Sequence, residues 1–506
     1  MGIFLHDSGG SPIFPKGAAN QVNALMATGG SIRFRRLKRM STASISPIFE
    51  FAFRFIRTVI LAHILSPNDV GAAVALAAIL VSCETITDVG LEHFVVISTA
   101  EEPAQVAAVA RQVAVARSLF VGALMLVFAP YLALLFNAAE EVSNIRWLAA
   151  FPLIGGMKNW RIIQIQNEYR FGPNAVARIV ATMGSAVSMI PVALWFRDAR
   201  AMVVGLGIEL FLYAICSHLL VPRQKVAVVD PTLRRAALSF GLPLIVNGIG
   251  LLILSQLDRM IVANLFGLGV LAVYSLSLNL VVAPVSVVSN VMGAVGLPLI
   301  RRAGTERQSI RRASLVVSLG LAVIGAACAV IIGLSLDWLV PLVYGSHFTI
   351  SAEFQTILTM ITFVRIIRSA PNLILLVQGK TKHVAVGNVA AGSGLLLALC
   401  LASRYHRIEI VAFGLLIGDL VSLGSLLTFV REFLPIKPLL RHIGVLLIFC
   451  VGTAALSPWI IVGSVIVARG IILAVATFVI VLEGVIVYRR HIDGSARSNC
   501  RSVSEL

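Results

Sequence analysis

From about residue 44 onward the chain alternates stretches of apolar residues, such as 471–487, with short polar or basic connections. A helix needs about 20 apolar residues to cross hydrocarbon, whereas barrel strands alternate apolar and polar positions over roughly 10. The pattern therefore predicts transmembrane helices. Runs bounded by charge, Pro or Gly place spans near 44–65, 71–97, 114–136, 142–163, 174–196, 201–221, 240–265, 270–298, 313–335, 354–377, 384–403, 409–430, 441–461 and 464–488, about 14 in all. The expected fold is all-α, a polytopic membrane helical bundle.

Loop charge tests that count, because one missed span would invert everything after it. Basic residues gather in alternate connections: Arg33 to Arg39, Lys158 with Arg161, Arg223 to Arg235, Arg301 to Arg312, Lys380 with Lys382, Arg431 to Arg441 and Arg489 to Arg501. About 30 of the 41 Lys and Arg fall on one side and about 6 on the other, the bias that marks cytoplasmic loops. Both termini are then cytoplasmic. No cleaved leader is read at the N-terminus, since the basic run follows a long polar, Gly-rich stretch.

Composition agrees with this reading. Of 506 residues 58% are hydrophobic and 13% charged, against about a quarter charged in soluble domains. The net charge of +17 is explained by cytoplasmic loops, so nucleic acid is not an expected partner. The six cysteines are scattered singly, without metal or disulfide spacing. No Walker loop, zinc-protease or nucleophile-elbow motif occurs, so no cofactor is expected and an enzyme is disfavoured. The outer connections are short, the longest running from Asp337 to about Ser351, too small for a catalytic domain.

A charge at the centre of a span costs about 2.5–3.5 kcal/mol on insertion scales, so such residues face a bundle interior or a wet cavity. In the first span Glu50, Arg54 and Arg57 share one helical face. Thr362, Arg365, Arg368 and Asn372 share another, beside Pro371. Asp258 and Arg259 lie in a third span, and Ser275, Asn279, Ser286 and Asn290 align in a fourth. Arg54, Arg57, Arg259, Arg365 and Arg368 outnumber the acids close to them in sequence, Glu50 and Asp258. An uncompensated cationic cavity is expected, suited to phosphate because guanidinium groups pair bidentately with its oxygens. The plainer alternative is packing: Arg54 can pair with Glu50, Arg259 with an acid of a neighbouring span, and the Asn/Ser stripe can bond helices together. Glu84 and Asp88, toward the cytoplasmic end of the second span, and Asp258 are candidates for ion coupling; a solvated helix-pairing role is the alternative.

The segments 57–71 and 258–272 match in plan: a mid-span charge, a short outer turn, then the next span. An even number of spans separates them, so the copies share one orientation. The expected organisation is a cytoplasmic basic tail over 1–43, an N-terminal six-helix lobe over 44–237 and a C-terminal six-helix lobe over 238–432. A further helix pair over 433–488 and a cytoplasmic tail over 489–506 complete it.

At these residues the chain resembles polysaccharide flippases of the Wzx type, the PST branch of the multidrug/oligosaccharidyl-lipid/polysaccharide exporter superfamily. The resemblance is carried by Ile64-Leu-Ser-Pro-Asn-Asp-Val-Gly71, Thr87-Asp-Val-Gly-Leu91, Leu254-Ser-Gln-Leu-Asp-Arg-Met-Ile261 with Tyr274, Val343-Tyr-Gly-Ser-His-Phe348 and Gln378-Gly-Lys380. Ala272 departs from it where the family usually repeats Gly, and the N-terminal tail is longer than typical. The resemblance implies a multi-pass bacterial inner-membrane protein that flips a polyprenyl-pyrophosphate-linked oligosaccharide by alternating access between two lobes, for O-antigen, exopolysaccharide or capsule synthesis. It also implies membrane lipids, a polysaccharide polymerase and a chain-length regulator as partners. The alternative is an ion-coupled drug or small-metabolite exporter of the same superfamily, for which acidic residues at mid-membrane are expected.

The topology is directly testable. On a cysteine-free background, cysteines placed in the Arg301 to Arg312 connection should escape membrane-impermeant thiol reagents in intact cells. Labelling there from the periplasm would mean an odd error in the span count.

Overall fold

A computed structural model describes residues 30–98, 103–168, 170–222, 231–302 and 306–456. Among them every regular element is a helix. The sequence begins with α1 (Gly30–Ile64), α2 (Pro67–Ile86), α3 (Leu91–Ile97) and α4 (Pro103–Leu135). Three short helices follow, α5 (Val142–Leu148), α6 (Phe151–Gly156) and α7 (Arg161–Gln164), and then α8 (Gly172–Phe196) and α9 (Arg200–Leu220). The rest is α10 (Pro231–Phe266), α11 (Leu268–Arg302), α12 (Arg307–Tyr344), α13 (Ala352–Val377), α14 (Thr381–Tyr405), α15 (Ile408–Val430) and α16 (Ile436–Leu456). Nine of the described helices are long and apolar enough to cross a membrane. The span expected at 464–488 and the tails over 1–29 and 489–506 lie outside the described residues.

Local chemistry fixes the turns. The Ser66 hydroxyl accepts from the Asp69 amide at 3.3 Å and Pro67 stands at the first helical position, so α1 ends and α2 begins within two residues. Ser351 caps α13 in the same way, accepting from the Phe354 amide at 3.2 Å. Side chains such as Val127, Trp195 and Leu219 stay exposed on the outer helices, the arrangement a hydrocarbon solvent asks for.

Two expected spans are re-drawn. The run 71–97 is broken: α2 ends at Ile86, Gly90 takes the left-handed conformation at φ 59°, and α3 is a separate short helix. The Asp88 carboxylate accepts from the Gly90 amide at 2.9 Å and stabilises the break. The run 142–163 is three short helices, interrupted near Pro152 and again at Lys158 and Asn159. Unpaired backbone is costly in a membrane unless protein satisfies it. Here α9 does so. The Asn159 amide donates to Ser217 Oγ at 2.9 Å, Asn159 Nδ2 donates to the Val221 carbonyl at 3.2 Å, and the His218 ring meets the Met157 carbonyl at 3.0 Å.

Helices meet closely where one carries glycine. A Cβ on Gly71 of α2 would lie 1.8 Å from the Leu268 carbonyl oxygen at the start of α11, and one on Gly269 would lie 2.7 Å from Asn68 Oδ1. The two turns of the internal repeat therefore touch. In α14 and α15, Gly394, Gly414 and Gly418 form a seam in which added Cβ atoms would come within 2.1–2.3 Å of facing atoms. Small residues four apart let membrane helices approach this way.

Gly71→Val should therefore push α2 and α11 apart. On a cysteine-free background carrying Asn68→Cys and Gly269→Cys, it is expected to suppress oxidative cross-linking and to lower the unfolding temperature in detergent by several degrees. Equal cross-linking with and without the valine would show that the turns are not in contact.

Candidate functional site

The charges inside the bundle form compact clusters, each built from several helices. In the first, Arg54 and Arg57 of α1 converge on Glu209 of α9. Arg57 Nη1 lies 2.6 Å from Glu209 Oε2, and Arg54 Nη2 lies 2.9 Å from Oε1. Arg57 also donates to Ser185 Oγ of α8 at 3.0 Å, and that hydroxyl donates in turn to the Gly205 carbonyl at 2.7 Å. Arg57 is buried, while the Arg54 side chain is 52% exposed.

The second cluster joins α13 to α15. Arg365 Nε donates to Asp419 Oδ2 at 2.7 Å, Arg368 Nη1 lies 2.9 Å from Oδ1, and Arg368 reaches Ser422 Oγ at 3.4 Å. Asp419 is only 3% exposed. The α14–α15 glycine seam ends at Gly418, so the carboxylate follows directly on the closest helix contact. A cavity of about 80 Å³ opens beside these groups, lined by Arg365, Arg368, Asp419 and Asn388 of α14. Asp258 of α10 lies within electrostatic reach of Arg365 without pairing to it directly and accepts from the buried Tyr274 hydroxyl at 2.9 Å, while Arg259 donates to Gln256 at 3.2 Å.

These partners correct the expectation of an uncompensated cationic cavity. Glu209 and Asp419 pair with four of the five arginines, and sequence reasoning missed both acids. The pairing of Arg54 with Glu50 along one helix is also replaced: Glu50 accepts from Ser46 at 2.7 Å and lies 3.9 Å from Arg178. Yet the charges do not cancel. Each carboxylate is shared by two guanidinium groups, so each cluster holds one more positive than negative charge. A signal for the acids was present, since each is the single carboxylate well inside its apolar run and such a residue is costly without a partner. The helix each would meet was not readable.

The remaining candidates lie apart from these clusters. Asn279 is half-buried and Asn290 is exposed on α11. Glu84 is half-buried on α2; Asp88 is exposed at the end of that helix, 3.6 Å from Arg117 of α4. Glu92 pairs with Lys158 and lies 3.7 Å from Arg178, forming a polar patch with α7 and α8 nearby. Among the described residues no group of three His, Cys, Asp or Glu is placed to hold a metal.

The family model for polysaccharide biosynthesis proteins matches residues 60–353. No curated protein matches the chain in sequence. Among solved structures, the chain is similar to a lipid II flippase, MurJ, in an inward closed conformation, with a TM-score of 0.67 at 13% identity over 89% of this chain and 99% of that one. It is also similar to an inward-facing multidrug resistance transporter of the MATE family of the MOP superfamily, with a TM-score of 0.53 at 14% identity over 78% and 95%. At these identities the likeness is one of fold.

The Asp419 cluster makes a prediction about stability. Asp419→Asn leaves two half-buried guanidinium groups without their counter-charge and should cost on the order of 2–3 kcal/mol, less than for a fully buried pair because both arginines keep some exposure. Arg365→Gln made in that background should cost less than it does alone. Denaturant titration of the two single variants and the double variant measures the difference, and strict additivity would show that the pair does not interact.

Proposed function

The chain belongs to the polysaccharide biosynthesis protein family, and we propose that it flips a polyprenyl-pyrophosphate-linked oligosaccharide across the bacterial inner membrane, from cytoplasmic to periplasmic leaflet. The observation that carries this reading is the Arg365–Arg368–Asp419 cluster, with its excess positive charge beside a polar cavity. A guanidinium group has five N–H donors, and Asp419 can accept only some of those on offer. The remaining donors suit a pyrophosphate, while Asp419 holds both arginines in place when no substrate is present. Arg54 and Arg57 on Glu209 form a comparable group, with Arg54 as its accessible member. The likeness to a lipid II flippase over nearly the whole length of that protein agrees with a lipid-linked cargo.

In this proposal residues 44–237 and 238–432 are two lobes that rock about the contact between α2 and α11, and both termini are cytoplasmic. The added pair expected over 433–488 begins with α16, and its second helix lies outside the described residues. Glu84, Asp88 and Asp258 are the proposed ion-coupling acids, with Glu84 supported by its partial burial. Arg259, Asn279 and Asn290 are the proposed contacts for further phosphate and sugar oxygens. A polysaccharide polymerase and a chain-length regulator would act on the delivered product. The reading as a drug or metabolite exporter asks for buried acids free to hold a cation; Glu209 and Asp419 are each held by two arginines, and Asp258, buried with its Oδ1 unpartnered, is the acid that would serve that reading.

The test is reconstitution in liposomes with a fluorescent polyprenyl-pyrophosphate oligosaccharide. Wild-type protein should move it between leaflets. The triple variant Arg365→Gln/Arg368→Gln/Asp419→Asn leaves no charge of this cluster unpaired, and it should flip at least about tenfold more slowly while remaining monodisperse. A triple variant as fast as wild type removes the cluster from the mechanism, and an inactive wild type removes the substrate assignment.

A further inference from the structure

A second and larger cavity lies away from both charge clusters, in the crevice between α2, α4 and α10. Its volume is about 750 Å³. On α4 its lining runs from Gln112 to Phe136 and on α10 from Arg234 to Met260, so it follows these two helices for most of their length. Between Arg117 and Phe136 the α4 wall is about 28 Å long at 1.5 Å per residue, close to the roughly 30 Å hydrocarbon thickness of a bilayer.

Three features define its occupant. The walls are almost wholly apolar, with Ile79 and Ile86 of α2, Leu124 of α4, and Ile245 and Leu252 of α10 facing the space. Its outer rim is formed by side chains left exposed, including Phe120, Leu135 and Leu238, so it opens sideways to the surrounding hydrocarbon. Basic groups, Arg117 and Arg234, lie only toward one end. Arg117 is 3.6 Å from Asp88, but its Nε is buried and has no hydrogen-bond partner.

Length chooses between lipids. The chains of a bilayer phospholipid end near the midplane, about 15 Å from their headgroups, and would fill only half of this length. A polyprenyl chain is single and long enough to fill all of it. We infer that the α2–α4–α10 groove is a binding site for the polyprenyl chain of a lipid phosphate, with the phosphate at the Arg117–Arg234 end and the chain extending toward Phe136 and Met260. This rests on the lipid-linked cargo proposed above and adds where the lipid is held before its headgroup moves to the arginine clusters.

The experiment uses the full chain in nanodiscs of phosphatidylglycerol and phosphatidylcholine. The probes are a long-chain polyprenyl phosphate with a photoreactive group at the tail end and a prenyl phosphate of a few isoprene units. The long probe should label wild-type protein around Leu135 and Met260, and unlabelled phosphatidylglycerol should not displace it. Leu124→Trp and Leu252→Trp each fill the groove at mid-length and should weaken binding of the long probe about tenfold while leaving the short one unchanged. Labelling of unmodified protein tests the site even if a tryptophan variant fails to fold. Labelling elsewhere, displacement by phosphatidylglycerol, or tryptophan variants that bind the long probe normally would each overturn the inference. Failure of the cargo assignment looks different: wild-type protein would bind the polyprenyl probe in the groove but not flip the oligosaccharide.

Discussion

A guanidinium group in a membrane interior must have a counter-charge or a wet face, and the arrangement of this bundle follows from that requirement. Arg57 and Asp419 are both nearly inaccessible, and neither could occupy its position without the other helix that answers it. Glu209 ties α1 to α9, and Asp419 ties α13 to α15. Burying an ion pair brings little net stability, because desolvation offsets most of the attraction. What it does supply is register: a carboxylate that must reach two guanidinium groups fixes how far one helix slides along the other. Apolar packing between helices in lipid lacks that precision, since the lipid chains are as apolar as the side chains.

The backbone obeys the same rule as the side chains. Between Val142 and Glu168 the chain changes direction several times, and α9 supplies Ser217, His218 and the Val221 carbonyl to groups at Met157 and Asn159. This irregular stretch is therefore anchored by the same helix that provides Glu209. One helix thus stabilises both a charge and a break, which makes α9 central to the first half despite its mostly lipid-exposed length.

Much of this was legible in the sequence. The apolar runs gave the order of the helices, the break in them within 57–71 marked a short turn, and the clustering of Arg54 with Arg57 and of Arg365 with Arg368 followed from helical periodicity. The pairing acids were not legible, because Glu209 and Asp419 lie 152 and 54 residues from Arg57 and Arg365 and nothing local connects them. Nor was the break after Ile86, since Asp88-Val89-Gly90 interrupts hydrophobicity too briefly to separate a bent span from two helices. The 750 Å³ groove was hidden for a different reason: it exists only between helices, and each of its walls reads in sequence as ordinary apolar span.

The contact between Asn68 and Gly269 has a consequence for how such a chain could arise. The two residues occupy equivalent places in the repeats at 57–71 and 258–272, so each touches its own counterpart. A point that meets its own image lies on a twofold axis, and there two identical side chains would compete for one space. A symmetric pair of half-length subunits could satisfy that place only with a residue small enough to face itself. Joining the halves in one chain removes the restriction, and here one copy carries a side chain while the other has none. The asparagine–glycine pair is a difference that two linked halves can hold and a pair of identical subunits cannot.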